Sequence, residues 1–318
     1  MNRDDFVRHN QPTWDQVEDL LDRLDEGRRV EHELAEFPAL YRRCCHHLAL
    51  ARQRDYDAEV EGRLHQIALR GYRHLYRRRS GGLRKVLRFL GADFPRLVRR
   101  HARTFWLATV LFYGPALAMG WMVLEQPDAV YSLLELEQVA QFEEMYRDPP
   151  QDERDASIDF GMFGFYIYNN VGIALRTFAA GILLAIGTIV ILTFNGLYLG
   201  AVFAHLTNEG IADHLLTFVI THGAFELTAI VLAGVGGLRL GAAVVSPGRR
   251  RRVDALRSAA PEALSIALGS AFLLLLAAFL EAFWSSASWA SPDTKVAVGS
   301  AAWIAVYAYL GLGGRRGS

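Results

Sequence analysis

The chain has 318 residues, of which 52% are hydrophobic and 21% are charged, and its formal net charge is +0. These averages hide a division, because residues 1–103 are dense in charge whereas long stretches after residue 104 are almost free of it. An apolar run of about 20 residues can cross the hydrocarbon core of a bilayer. The composition therefore indicates a membrane protein with several spans and excludes a fibrous, secreted or wholly soluble protein.

Residues 1–103 are predicted to form a cytoplasmic helical domain. Three segments carry apolar residues at helical spacing and charged residues on the opposite face. They are Trp14–Leu24, 31–52 and 57–78. Within the second, Cys44-Cys45-His46-His47 does not predict a metal site, because zinc ligands are usually separated by two to four residues. No cofactor is expected.

After a short amphipathic helix at Leu83–Leu90, the apolar stretches predict an all-α, polytopic membrane domain. Residues 104–124 form the first expected transmembrane helix, and 165–318 form the helical core. The loop 125–164 between them is acidic, with eleven acidic and two basic residues in 125–160, and it carries an amphipathic pattern. This pattern predicts a helix that lies on the membrane or receives a partner.

The distribution of basic residues predicts the orientation. Arginines are concentrated before the first span and again at Arg249–Arg252, so both regions are expected in the cytoplasm and the acidic loop outside. An odd number of crossings must then separate residue 160 from residue 249. We expect about six crossings and two cytoplasmic termini, with a third segment at 195–210 that either crosses or re-enters the membrane after Asn195-Gly196.

His222 and Glu226 form the most informative polar pair, because residues four apart share one helix face. A carboxylate near the middle of a span costs about 2.5–3.5 kcal/mol on insertion scales. It must therefore face the protein interior, be protonated or be paired. The favoured interpretation is an interhelical hydrogen bond. A metal half-site, a proton relay and an ion pathway remain open alternatives.

Further polar residues lie in the predicted spans and complete the candidate membrane site. They are Asn169, Asn170, Asn195, Arg176, Glu281 and Arg239. The topology allows an Arg176–Glu281 ion pair near the outer surface. The alternative is that Arg176 extends to the headgroups and Glu281 lies at the interface. Arg239 is expected to anchor the inner end of its span.

Two pairs of glycines four residues apart are expected to pack helices closely. They are Gly196 with Gly200 and Gly237 with Gly241. Packing within one subunit is the favoured interpretation, and a seam between subunits of a homo-oligomer remains open. Neither pair follows a strand, so neither predicts a nucleotide-binding loop.

Five sequence motifs carry a family resemblance. They are Phe165-Tyr-Ile-Tyr-Asn-Asn170, Arg176-Thr-Phe-Ala-Ala-Gly181, Phe194-Asn-Gly-Leu-Tyr-Leu-Gly200, His222-Gly-Ala-Phe-Glu-Leu-Thr-Ala229 and Ala233-Gly-Val-Gly-Gly-Leu-Arg-Leu-Gly241. With them, the region 95–285 resembles the stage II sporulation protein M family of integral membrane proteins. The resemblance implies a bacterial inner-membrane protein that acts through protein partners, such as an envelope complex or a MoxR-type ATPase system. It assigns no chemical role to the motif residues.

Three functions are compatible with these features. The leading hypothesis is a non-enzymatic scaffold that anchors a partner complex of the cell envelope in the lipid bilayer. A transporter or channel that uses His222 and Glu226 is the alternative, and an intramembrane metalloenzyme is the third. Nucleic acid is not an expected partner, because a basic run next to a span suits orientation and anionic lipid better.

Overall fold

The structure, a computed structural model, describes residues 2–26, 36–76, 82–147 and 156–315. The regular structure in these ranges is entirely helical, which confirms the all-α prediction. The chain divides into two compact units, Met1–Gly82 and Leu83–Ser318. The units therefore separate at Gly82, ahead of the boundary at residue 103 that the charge distribution suggested.

The described residues of the first unit form three helices around a core of their own. They are α1 (Arg3–Asp25), α2 (Phe37–Gln53) and α3 (Ala58–Tyr76). Their apolar faces meet in a cluster that includes Phe6, Trp14, Leu21, Phe37, Leu64 and Ile67. Residues 31–35 and 77–78 of the predicted helices lie outside the described residues.

Cys44 and His47 belong to this core. The indole Nε1 of Trp14 donates a hydrogen bond to His47 Nδ1 at 3.0 Å. Burial raises the pKa of the Cys44 thiol to about 11 and lowers the pKa of His47. A thiol that stays protonated at neutral pH is a poor nucleophile, so Cys44 has a packing role, while His47 accepts the hydrogen bond of Trp14.

The described residues of the second unit form ten α-helices, five of which continue into or follow one of three short π-turns. They are α4 (Gly82–Arg88), α5 (Phe94–Arg100), α6 (Ala102–Glu125), α7 (Leu136–Arg147), α8 (Ala156–Tyr166), α9 (Gly172–Ala179), α10 (Ile186–Asn208), α11 (Ala212–Val245), α12 (Arg252–Leu280) and α13 (Pro292–Leu312). The π-turns are Phe89–Asp93, Ile167–Val171 and Glu281–Ser285.

Five of these helices are long and apolar enough to span a membrane, which confirms a polytopic membrane fold. They are α6, α10, α11, α12 and α13. Within the apolar 18-residue stretch of each spanning helix, 78% of α11 is buried inside the protein, whereas 17–44% is buried in the other four helices. Helix α11 is therefore the central helix of the unit, and the others pack around it.

The segment predicted as the third crossing differs from the prediction. Helix α10 runs without interruption through Asn195-Gly196, so the expected break at that point is wrong. The break lies instead at 180–185, where Leu184 and Ala185 adopt left-handed backbone angles with φ of 56° and 66°. Residues 156–164, predicted as loop, are helical, and α8, the π-turn Ile167–Val171 and α9 together form a bent helical arm.

Arginines from α5 bind the end of α13, which explains why the second unit begins so early. Arg99 donates to the carbonyl oxygens of Leu310 and Gly313, each at 2.7 Å, and Arg96 donates to that of Gly314 at 2.7 Å. Cations at a helix C-terminus satisfy carbonyl groups that have no partner within the helix. The segment after Gly82 is thereby fixed to the membrane helices.

The predicted glycine pairs pack helices within the chain. A Cβ added at Gly196 or Gly200 would overlap the carbonyl oxygen of Phe112 or Ala116 in α6. Gly237 and Gly241 of α11 lie against the end of α9 and the turn at 180–185 in the same way. Only a residue without a side chain allows the backbones to approach so closely.

This packing predicts that Gly196→Ala destabilises the membrane unit. The added methyl group must push α10 away from α6, and overpacking of this kind typically costs about 1–3 kcal/mol. The measurement is the thermal unfolding midpoint of the purified protein in detergent, which should fall by several degrees. Gly114→Ala on α6 is the matched control, since the nearest atom to an added Cβ there is 3.9 Å away. Equal midpoints for the two variants would contradict the assignment.

Candidate functional site

Three ionisable side chains from neighbouring helices meet inside the membrane unit. His222 Nε2 lies 3.9 Å from Glu226 Oε2 and 3.9 Å from Glu281 Oε1. His222 is 3% exposed and Glu281 is 8% exposed. The predicted pair of His222 and Glu226 on α11 therefore has a third member, Glu281, which lies in the π-turn that follows α12.

Ser285 orients the imidazole. Its hydroxyl shares a 2.9 Å hydrogen bond with His222 Nδ1, so Nε2 is the ring nitrogen that faces the two carboxylates. The carbonyl oxygen of Ser285 accepts a 2.8 Å hydrogen bond from Lys295 Nζ. Glu281 and Ser285 are the first and last residues of their π-turn. Single π-turns inside helices are frequent at functional sites.

An inner cavity of about 620 Å³ reaches Glu226 from one side. Helices α6, α9, α10 and α11 and one π-turn surround it. The cavity gathers four of the predicted polar residues, which are Asn169, Asn170, Arg176 and Asn195. Asn169 Nδ2 donates to Asn170 Oδ1 at 2.9 Å, and Asn170 is almost fully buried. These four residues, which are scattered in the sequence, therefore line one largely apolar cavity together with Glu226.

A second cavity of about 530 Å³, called the outer cavity, reaches Glu281, and Ser285 and Lys295 also line it. Helix α7 covers this cavity. His214 Nδ1 donates to the carbonyl oxygen of Tyr146 at 2.8 Å, and the Tyr146 ring contacts that of Phe218. Burial, followed by the nearby Glu281 and Glu226, raises the pKa of Tyr146 to about 12. The acidic loop thus supplies a helix that packs over the site.

Two of the predicted polar residues contact groups outside the cluster. Arg176 does not pair with Glu281: its Nε donates to the carbonyl oxygen of Gly172 at 3.1 Å, and the two residues line different cavities. Arg239 lies 3.7 Å from Glu262, which also contacts Arg100 and His101. Arg239 therefore belongs to an ion cluster at the opposite end of the helices.

Comparison with protein families agrees with this architecture. Residues 108–286, more than half of the chain, match the family model described as Stage II sporulation protein M. The chain belongs to the stage II sporulation protein M family. Residues 4–77 match a second model, described as a domain of unknown function, DUF8413. No curated protein and no solved structure matches the chain.

The stage II sporulation protein M match contains the whole His222 cluster and both cavity-lining π-turns. It begins within α6 and ends just after Ser285. The second match covers most of α1, together with α2 and α3. The two matches therefore fall on the two compact units, and the candidate site lies entirely in the membrane unit.

The sequence predicts Glu281 as a site residue, either paired with Arg176 or at the membrane interface, but it does not predict the contact with His222. Ser285 is a further residue of the cluster that the sequence analysis does not predict. A signal was present, because Glu281 and Ser285 are four residues apart, as are His222 and Glu226. Two adjacent spans with polar residues at that spacing can place both pairs on facing surfaces.

The cluster has the chemistry of a site that binds a cation. An imidazole nitrogen and two carboxylates offer a lone pair and two negative charges, while burial removes the water that would otherwise solvate them. Such groups in a membrane-spanning segment accept protons, coordinate a metal ion or pair with a positive ligand. The cavity on each side gives a small ion or a water molecule access to them.

Proposed function

We propose that this stage II sporulation protein M family member is an assembly protein of the bacterial inner membrane, which holds partner proteins of the cell envelope and does not catalyse a reaction. The observation that carries the proposal is the separate N-terminal unit. It has its own hydrophobic core and its own family match, as expected of a docking domain attached to a membrane anchor. An envelope complex or a MoxR-type ATPase system is the proposed class of partner.

Helix α3 offers the docking surface. Leu69 and Tyr72 are apolar residues three apart on its outer face, and they are 40% and 56% exposed. The helix itself is held to α1, because Arg63 contacts Asp15 and Glu18. A rigid helix with exposed apolar residues is a common site for recognition of a partner helix.

This surface predicts a specific loss of binding in Leu69→Asp. Crosslinking in native membranes, followed by purification and mass spectrometry, should recover the same partner repeatedly with the unaltered chain. Leu69→Asp should reduce that yield several-fold, because a carboxylate would have to be desolvated in the interface. Gln16→Asp, which adds the same charge on the exposed face of α1, is the control. A chain that crosslinks to no other protein would refute the scaffold function.

Orientation is a second part of the proposal: both termini lie in the cytoplasm and α7 lies outside. The Arg-rich α5, the end of α13 and the Arg239 ion cluster gather at one end of the membrane unit. The acidic helix α7 contacts α10 and α11 at the other end of the membrane unit. With the bent arm α8–α9 as the sixth crossing, every loop is on the side that the positive-inside rule requires.

Cysteine labelling tests this orientation. In a chain with Cys44 and Cys45 replaced by alanine, Ser288→Cys should react with a membrane-impermeant maleimide on intact cells. Ser246→Cys, in the loop between α11 and α12, should react only after the membrane is opened. Both serines are exposed, so accessibility within the protein is matched. The reverse pattern would overturn the orientation.

A second candidate function is passage of protons or small cations through the membrane unit. One observation favours it, since separate cavities reach Glu226 and Glu281 and His222 lies 3.9 Å from both carboxylates. Midplane carboxylates that line cavities are typical of ion paths.

Reconstitution in liposomes distinguishes this second candidate. If the cluster carries the ion, flux should be measurable and should fall at least tenfold in Glu226→Gln, which keeps the shape of the side chain but removes its charge. His205→Gln is the control, because His205 contacts Glu143 outside the cluster. Absence of flux for protons and for monovalent and divalent cations would remove this function and leave the scaffold.

A further inference from the structure

The His222 cluster presents one nitrogen and two carboxylate oxygens at close range. His222 Nε2 is 3.9 Å from an oxygen of each glutamate, and the three atoms all lie within 4.8 Å of one another. Ligands bound to zinc at about 2.0–2.2 Å in a tetrahedral arrangement are about 3.3–3.6 Å apart. Small side-chain rotations would therefore bring all three atoms to coordinating distance.

The buried charge of this cluster lacks compensation by a basic side chain. Lys295 Nζ donates to the carbonyl oxygen of Ser285, and Arg176 Nε donates to that of Gly172; neither forms an ion pair with Glu226 or Glu281 among the described contacts. The second oxygen of Glu281, Oε2, is buried without a hydrogen-bond partner. An uncompensated carboxylate in a low-dielectric interior is costly, so the pair requires a bound cation or protons.

We propose that His222, Glu226 and Glu281 bind one divalent transition-metal ion such as Zn²⁺. Two carboxylates and one divalent ion form an electrically neutral assembly, which the membrane interior tolerates far better than two negative charges. The imidazole selects against magnesium and calcium, which prefer oxygen ligands alone. Three protein ligands leave one coordination position open, as in zinc sites that bind water or a substrate.

The surroundings of the cluster fit such a site. The Ser285 hydroxyl holds His222 Nδ1 and leaves Nε2 as the ligand atom, and partners of this kind orient metal-binding histidines in general. The outer and inner cavities provide a route for the ion to enter. The site does not depend on the proposed partner docking, since it uses no residue of the N-terminal unit.

A second cluster of similar spacing provides an internal control. Glu143, His205 and Glu209 also lie within ligand distance of one another. There, however, Glu143 already contacts both Arg147 and His205, and Glu209 is exposed to solvent. Arg147 pairs with Glu143 and solvent reaches Glu209, so neither carboxylate of this cluster requires a metal ion.

Zinc content tests the proposal on the full chain. The protein is purified in detergent with its affinity tag removed, treated with a chelator, equilibrated with Zn²⁺ and analysed for bound metal. One zinc per chain is expected for the unaltered protein and for His205→Ala. His222→Ala should lose the metal, and Glu281→Gln should weaken its affinity at least tenfold. Zinc retention by His222→Ala at the unaltered level, or no zinc in the unaltered protein, overturns the site.

Cobalt provides a measurement that needs no variant. Co²⁺ bound by one imidazole and two carboxylates in a four-coordinate site gives visible absorption bands, whereas six-coordinate Co²⁺ in solution absorbs weakly. Such bands in the unaltered protein, removed by equimolar Zn²⁺, are expected, and their absence counts against the site even if His222→Ala fails to fold. A chain that binds zinc but passes no ion upholds the site and eliminates only the transport function.

Discussion

Burial of two carboxylates beside one imidazole is the constraint on which the membrane unit depends. Hydrocarbon cannot solvate these groups, so the protein must surround them with its own dipoles, with cavities that admit water, or with a bound cation. The cluster is accordingly placed between the central helix α11 and α12, away from lipid. Glu226 and Glu281 each line a cavity, and His222 and Glu281 are buried.

The π-turns give the helices the local geometry that this site needs. A π-turn adds one residue to a helical turn, so the side chains that follow are rotated relative to an uninterrupted α-helix. One such turn carries Glu281 and Ser285 towards His222, and another carries Asn169 and Asn170 to the inner cavity. In a regular α-helix these polar side chains would point in other directions. Both π-turns fall inside the family match.

The sequence was sufficient for the features that depend on local composition. Apolar runs identified the first membrane helix and the extent of the helical core, and helical periodicity identified residues of the N-terminal core, including Trp14. It was also sufficient to select His222, Glu226 and the asparagines, because a polar residue within an apolar run is conspicuous. None of these features requires knowledge of which helices are neighbours.

Features that depend on tertiary contacts could not be predicted in the same way. The pairing of Glu281 with His222 rather than with Arg176 is a property of two helices brought together by the fold. Asn195-Gly196 looked like a helix break, but Gly196 packs on α6 and Asn195 donates to the carbonyl oxygen of Ile191, so the helix continues. The true break at 180–185 contains Leu184 and Ala185, which are residues without a turn signal.

The packing glycines and the polar site are parts of one arrangement. The turn at 180–185 rests on Gly237 and Gly241 of α11, where an added Cβ would overlap the backbone or side chains of the turn region. This contact fixes the position of α9 along α11. The π-turn with Asn169 and Asn170 directly precedes α9, so the same contact sets the depth at which the asparagines meet the cavity beside Glu226. The glycines on the central helix thus position the polar groups and also permit close packing. A larger residue at Gly237 would shift α9 along α11 and would thereby move Asn169 and Asn170 relative to Glu226.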